Sequence, residues 1–314
     1  MFDQITKIDF YSSEVLKSYN LDEKIKYQLS MLDGLDAYTR RHSENVANLT
    51  CRICTEIGMD EGFIIYATTC AYIHDIGKIF IPPQILQKNG KLTDEEYEVM
   101  KSHTTIGYKM CMNDPKLRPY MAGPYYHHES LDGTGYPNGL TAEDIPYEGQ
   151  IIRVADEFDA ISSKRQYKSH IGITDTVEIL VENSKPTEKS KKPKGYIFKP
   201  GKLDKKLVKT LINLIIEDTE MELYHKQNYK KYLKEERERY YQAFSKYEKM
   251  QKETKEDKKE YFKIYAEGYL RRTENIENIP KYIEDIEKTY EDILNQETKL
   301  KNEIKILKSQ KRRV

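Results

Sequence analysis

From Met1 to about Ile173, apolar residues recur at helical spacing, broken by Gly and Pro, and nowhere alternate as a half-buried strand requires. That pattern confines the first half of the chain to an all-α fold with loops available for function. Residues 183–200, NSKPTEKSKKPKGYIFKP, are rich in Lys, Pro and Ser and read as a surface loop or linker. Leu203, Leu207, Val208, Leu211, Ile212 and Ile215 then return at helical spacing, which predicts one more core helix. The expected domain spans 1–216, with a Lys-rich insertion at about 184–199.

From about Glu217 the chain becomes Lys/Glu-rich helix in which tyrosines are the main apolar positions. Ile276, Ile283, Tyr290, Glu297 and Ile304 repeat every seven residues, as do Ile279, Ile286, Ile293, Leu300 and Leu307. A core-facing amphipathic stripe drifts with a 3.6-residue period, whereas a strict heptad marks a coiled coil. Pro280 is tolerated only in a first helical turn, so the coiled coil is expected over about 280–310, inside a charged helical region at 217–314. A homodimer is the simplest cover for nine apolar a and d positions, and an intramolecular hairpin is the alternative.

Lys plus Arg number 52 and Asp plus Glu number 52, so no global positive field draws the chain to duplex nucleic acid or to an anionic membrane. Any phosphate binding must be local. The longest mostly apolar run, Phe63 to Ile73, is about half the roughly 20 residues needed to cross a bilayer, and the N-terminus lacks a signal-peptide profile. A cytoplasmic protein without a membrane span is expected. Cys51 and Cys54 form one CxxC pair with no second pair to complete a zinc site, and are assigned to a helix face near the core.

Five of the seven histidines, His42, His74, His103, His127 and His128, fall before residue 130 among acidic residues. Imidazole and carboxylate together suit divalent first-row metals, and His74 followed by Asp75 in AYIHDIGK is the centre of the set. Ala67, Cys70, Ala71 and His74 share a helical face, which puts His74 at the end of a buried helix and Asp75 at the edge of the core. A carboxylate there can bridge two metals. The segment DGTGYP carries two glycines and a proline, as a shaped loop requires.

The stretches DAYTRRHSENVA at 36–47, HDIGKIFIPPQILQKNGKLTDEEYEVMKSH at 74–103, HHESLDGTGYP at 127–137 and VADEFDAISSKRQYK at 154–168 resemble the HD-GYP phosphodiesterases in order and spacing. The resemblance covers roughly residues 30–216 and implies an all-helical HD-domain bundle holding a bimetal centre. Carried over position by position, it implies His42, His74, Asp75 and Asp156 as ligands of one ion. Asp75 then bridges to a second ion held by His103, His127 and His128, with iron or manganese as the metal. It further implies Lys78 as a catalytic lysine beside Asp75, Tyr136, Arg165 and Lys168 as substrate contacts, and Asp159 as a support for the ligands. His170 and His225 match no ligand position. Two ions rather than three are implied, because Tyr38 stands where members with a third ion carry glutamate; Pro83 is a further departure.

The activity implied by the resemblance is hydrolysis of cyclic di-GMP by a metal-bridging hydroxide, to linear pGpG and, after a second cut, GMP. Two rival readings are a phosphohydrolase of another cyclic or linear nucleotide, and a catalytically weak scaffold that senses cyclic di-GMP. In the scaffold reading, the GYP loop or the helical tail would carry the signal to a partner protein.

Overall fold

The computed structural model describes residues 37–163, 171–192, 195–253, 263–264, 267–268, 275 and 278–314. Two compact units appear. The first runs up to Ile215 and also takes in Leu307–Val314; the second is Ile216–Ile306. The tail region expected at 217–314 therefore gives its last eight residues back to the first unit.

In the first unit, α1 (Ala37–Glu56) packs on α2 (Glu61–Tyr72) and on α6 (Tyr147–Ser162). A 3-10 turn at Ile76–Phe80 and the short α3 (Pro83–Leu86) lead to α4 (Asp94–Asn113), which packs on that turn and on α5 (Ala122–Tyr126). Helix α7 (Ile173–Ser184) and the start of α8 (Lys205–Glu253) complete the bundle. Ile53, Ile73, Ile76, Ile151, Ile152, Leu180, Leu207 and Leu211 are fully buried in it. Each such side chain contributes roughly 1.5–3 kcal/mol relative to an exposed one. Local chemistry sets the helix starts: Asp60 accepts from the Phe63 N–H at 3.0 Å, and Thr93 with Glu96 forms a capping box on α4. Cys51 and Cys54 are buried on α1.

The Lys-rich stretch expected to be a loop is instead an antiparallel hairpin, β1 (Thr187–Lys192) paired with β2 (Gly195–Lys199). Tyr196, Ile197 and Phe198 are strong strand formers, and pairing satisfies backbone groups that a bare loop would leave to water. The bundle itself is all-α.

In the second unit, α8 runs antiparallel to α9 (Ile279–Lys311), whose first turn holds Pro280. Tyr240 and Ala243 pack on Ile279 and Ile283, while Lys230 pairs with Glu297 at 2.6 Å and the Tyr241 hydroxyl donates to Glu287 at 3.1 Å. Ile293 and Leu300 are buried as well, and Glu297, the one polar residue of the heptads, is only 2% exposed. Part of the heptad stripe is thus packed within the chain, as in the hairpin alternative. No helix among the described residues is long and apolar enough to cross a membrane.

Candidate metal centre

Two glycines bring the histidines together. A Cβ on Gly77 would lie 2.0 Å from the His103 carbonyl oxygen, so the 3-10 turn after His74-Asp75 can press directly onto α4. A Cβ on Gly123 would lie 2.0 Å from the Cys70 carbonyl oxygen, so α5 crosses α2 just before His74 and delivers His127. Any side chain at either position would force the backbones apart. Helix α2 ends at Tyr72, two residues before His74, which sits in the following turn and is fully buried.

Each of four imidazoles has its Nδ1 committed to an oxygen. His74 Nδ1 donates to Ala71 O at 2.6 Å, His103 Nδ1 to Met100 O at 2.7 Å, and His127 Nδ1 to Gly123 O at 2.9 Å. His42 Nδ1 donates to Asp159 Oδ2 at 2.7 Å, and Asn45 and Ser163 hold the other oxygen of Asp159. Asp159 thus supports His42, as the resemblance implies. With Nδ1 spent, every Nε2 is left as the coordinating nitrogen.

Those nitrogens converge on Asp75. Its Oδ2 lies 3.3 Å from His74 Nε2 and 3.6 Å from His42 Nε2; its Oδ1 lies 3.4 Å from His103 Nε2 and 3.8 Å from His127 Nε2. Lys78 Nζ donates to Asp75 Oδ2 at 2.5 Å. Asp156 straddles the site in the same way. One of its oxygens is 3.0 Å from His42 Nε2 and 3.9 Å from His74 Nε2, and the other is 3.8 Å from His128 Nδ1. Its two oxygens thus face His42 and His74 on one side and His128 on the other.

Electrostatics follow the packing. Burial pushes the His103 imidazole down to about 4 and carries His127 and His128 well below their ordinary value, which keeps them neutral as ligands must be. Burial also pulls His42 down, but Asp156 and Asp159 outweigh it and raise His42 to about 9. Burial alone would raise Asp75 and Asp156, yet Lys78, His74 and His103 hold Asp75, and His42, His128 and His74 hold Asp156, well below the usual carboxylate range.

This donor set fits divalent metal. His103 Nε2 faces His127 Nε2 at 3.1 Å, two lone pairs that cannot bond each other because both Nδ1 atoms carry the proton. His74 Nε2 and Asp75 Oδ1 are buried without a hydrogen-bond partner. A cation satisfies all four. Two groups, His42–His74–Asp75 and His103–His127–His128, each have ligand atoms within 4.8 Å of one another.

The sequence matches the HD domain family over residues 28–187, half of the chain. The chain belongs to that family, in its HD-GYP branch. A cyclic di-GMP phosphodiesterase of Thermotoga maritima is 48% identical over 147 residues, covering 45% of this chain and 40% of that protein. The cyclic di-GMP phosphodiesterase response regulator RpfG of Xanthomonas campestris is 40% identical, covering 49% and 43%. The 3'3'-cGAMP-specific phosphodiesterase 3 of Vibrio cholerae is 36% identical, covering 49% and 33%. The chain spans less than half the length of each of these relatives.

Around the HD-domain site, the GYP loop is braced from within. Glu129, 1% exposed, accepts from the backbone N–H groups of Asn138 and Leu140, and Gly135 fits against the backbone of Glu129 and Ser130 where a Cβ could not. Tyr136 is thereby stacked on His128, ring centroids 4.6 Å apart. Sequence reasoning did not single out Glu129 or Arg153. Arg153 Nη1 lies 3.4 Å from His128 Nδ1 and Arg153 pairs with Glu157 at 2.7 Å. The sequence signal was position alone: Glu129 follows His128, and Arg153 stands one helical turn before Asp156. Arg165, Lys168 and His170 lie outside the described residues, as does the side chain of Tyr38. His225 is exposed on α8.

Proposed function

We propose that this HD domain is a metal-dependent phosphodiesterase whose substrate is a cyclic dinucleotide, cyclic di-GMP first among them. The observation that carries the reading is the approach of four Nε2 atoms, two to each oxygen of buried Asp75, with Lys78 bonded to the same carboxylate. His42, His74, Asp75 and Asp156 hold one ion; Asp75, His103, His127 and His128 hold the other. Two such ions, iron or manganese, supply Lewis acidity toward the phosphoryl oxygens and an activated water near neutral pH.

The chain's own groups do the rest. Asp159 keeps His42 turned toward the centre. Lys78, with 17% of its side chain exposed, sits where it can offset negative charge arriving with the phosphodiester. Tyr136 walls the His128 side, and Arg165 and Lys168 contact the flanking phosphates. The product is linear pGpG, with GMP from a second cut. A partner protein would read the GYP loop or the exposed face of the tail.

A second substrate, 3'3'-cGAMP, is favoured by the 36%-identical relative named for it. Anaerobically purified protein loaded with iron or manganese, incubated with cyclic di-GMP, 3'3'-cGAMP, cyclic di-AMP and pGpG, separates the readings by product chromatography. Cyclic di-GMP should give pGpG. Cleavage of none of the four would sink the enzyme reading and leave the sensing scaffold.

A further inference from the structure

A row of rings leads outward from the candidate metal centre. His128 stacks on Tyr136, and the Tyr136 ring meets the Tyr97 ring edge to face at 6.4 Å and 77°. Tyr97 projects from the first turns of α4 and is 47% exposed, an aromatic the fold does not bury. One turn further along α4, Lys101 Nζ lies 5.4 Å from the Tyr97 ring centroid and 5.7 Å from that of Tyr136. The same ammonium pairs with Glu98 at 2.5 Å, and the Glu98 side chain is 69% exposed. Two rings set nearly at right angles are therefore both approached by one ammonium, itself placed beside a carboxylate.

Resting on the phosphodiesterase reading above, we infer that Tyr97, Lys101 and Glu98 form the base subsite and select guanine. A base attached to a phosphate held at the metal centre extends past Tyr136 and stacks on Tyr97, as bases do on exposed aromatics. Stacking accepts any base. Selection comes from the charged pair. Guanine presents the O6 and N7 acceptors together with N1–H and N2–H donors, and Lys101 next to Glu98 presents a donor next to an acceptor. Adenine presents an N6 donor where guanine has O6, which leaves the Lys101 ammonium facing a group that cannot accept. An ordinary surface ion pair on a helix would show no such dependence on the base.

The two contributions have different signatures in equilibrium binding of cyclic di-GMP and cyclic di-AMP to the metal-loaded full chain. Tyr97→Ala should weaken both ligands about tenfold, the worth of one stacked base, and Tyr97→Phe should restore both. Lys101→Met keeps the apolar stem and should weaken cyclic di-GMP by about tenfold while leaving cyclic di-AMP within twofold. Metal content should equal wild type in all three variants. Because the readout is binding, a protein that binds but does not cleave would fail the phosphodiesterase reading and still test the subsite. Equal affinities of wild type and Tyr97→Ala, a Tyr97→Phe as weak as Tyr97→Ala, or equal losses for both ligands in Lys101→Met would overturn the inference. So would a wild-type chain that binds neither ligand.

Discussion

His103 Nε2 and His127 Nε2 face each other across 3.1 Å, each with its Nδ1 proton given to a backbone carbonyl. Two lone pairs held this close in the core of α4 and α5 repel unless a cation lies between them. Metal loading should therefore stabilise the domain. At 100 times the dissociation constant the gain is about 2.7 kcal/mol. Thermal unfolding with and without chelator measures it, and an unchanged midpoint would count against a metal at this pair.

Stoichiometry should be two ions per chain. A tyrosine at position 38 offers a phenol that is mostly neutral at pH 7, where glutamate would offer a carboxylate. Elemental analysis with an anomalous-scattering map of crystals tests this, and three fully occupied ions in the unmodified chain would defeat it. Tyr38→Glu is the variant expected to gain the third.

Metal uptake should release a proton. Asp156 and Asp159 raise His42 to about 9, so the metal-free site carries a proton there at pH 7. Because the folded value lies above the ordinary 6.5, that proton's stabilisation is complete below about pH 6.5. It is lost as pH rises through about 9. Affinity at this half of the site should accordingly rise between pH 7 and 9. Calorimetric titration in buffers of differing ionisation enthalpy counts the protons; zero release at pH 7 would contradict the assignment of His42.

Losing the bridge and losing a supporter should look different. Asp75→Ala should abolish metal binding and turnover together, since each oxygen of Asp75 faces histidine Nε2 atoms. Asp159→Ala removes only the acceptor behind His42 and should lower metal affinity about 10–100-fold. Arg165→Ala and Lys168→Ala should leave metal content intact while raising KM. Equal metal loss in all four variants would refute this separation of roles.

The tail should leave the chain monomeric. Ile279, Ile283 and Ile286 of its heptad stripe pack on α8, and Glu297 pairs with Lys230 of the same helix. Sedimentation of the full chain at micromolar concentration should give one species of monomer mass. A dimer that is lost when the chain is ended near Glu217 would overturn this and favour association through the heptads.

Much of the site was readable in one dimension. Helical periodicity and the heptads depend on neighbours a few residues apart, so the all-α bundle and the last helix near 280 follow from local spacing. The family resemblance marked the histidines and Asp75, Asp156 and Asp159 as candidates, and their donor chemistry follows from residue type alone. What the sequence could not determine were distances between segments far apart along it. That Gly77 and Gly123 let backbones touch, that Asp156 faces both halves of the site, and that Tyr97 and Lys101 meet Tyr136 are set by which helices pack on which. The hairpin at 187–199 and the burial of the heptads against α8 are decided the same way. Backbone pairing and apolar burial reward whichever partner the fold brings near, and a repeat of seven records the stripe without naming what covers it.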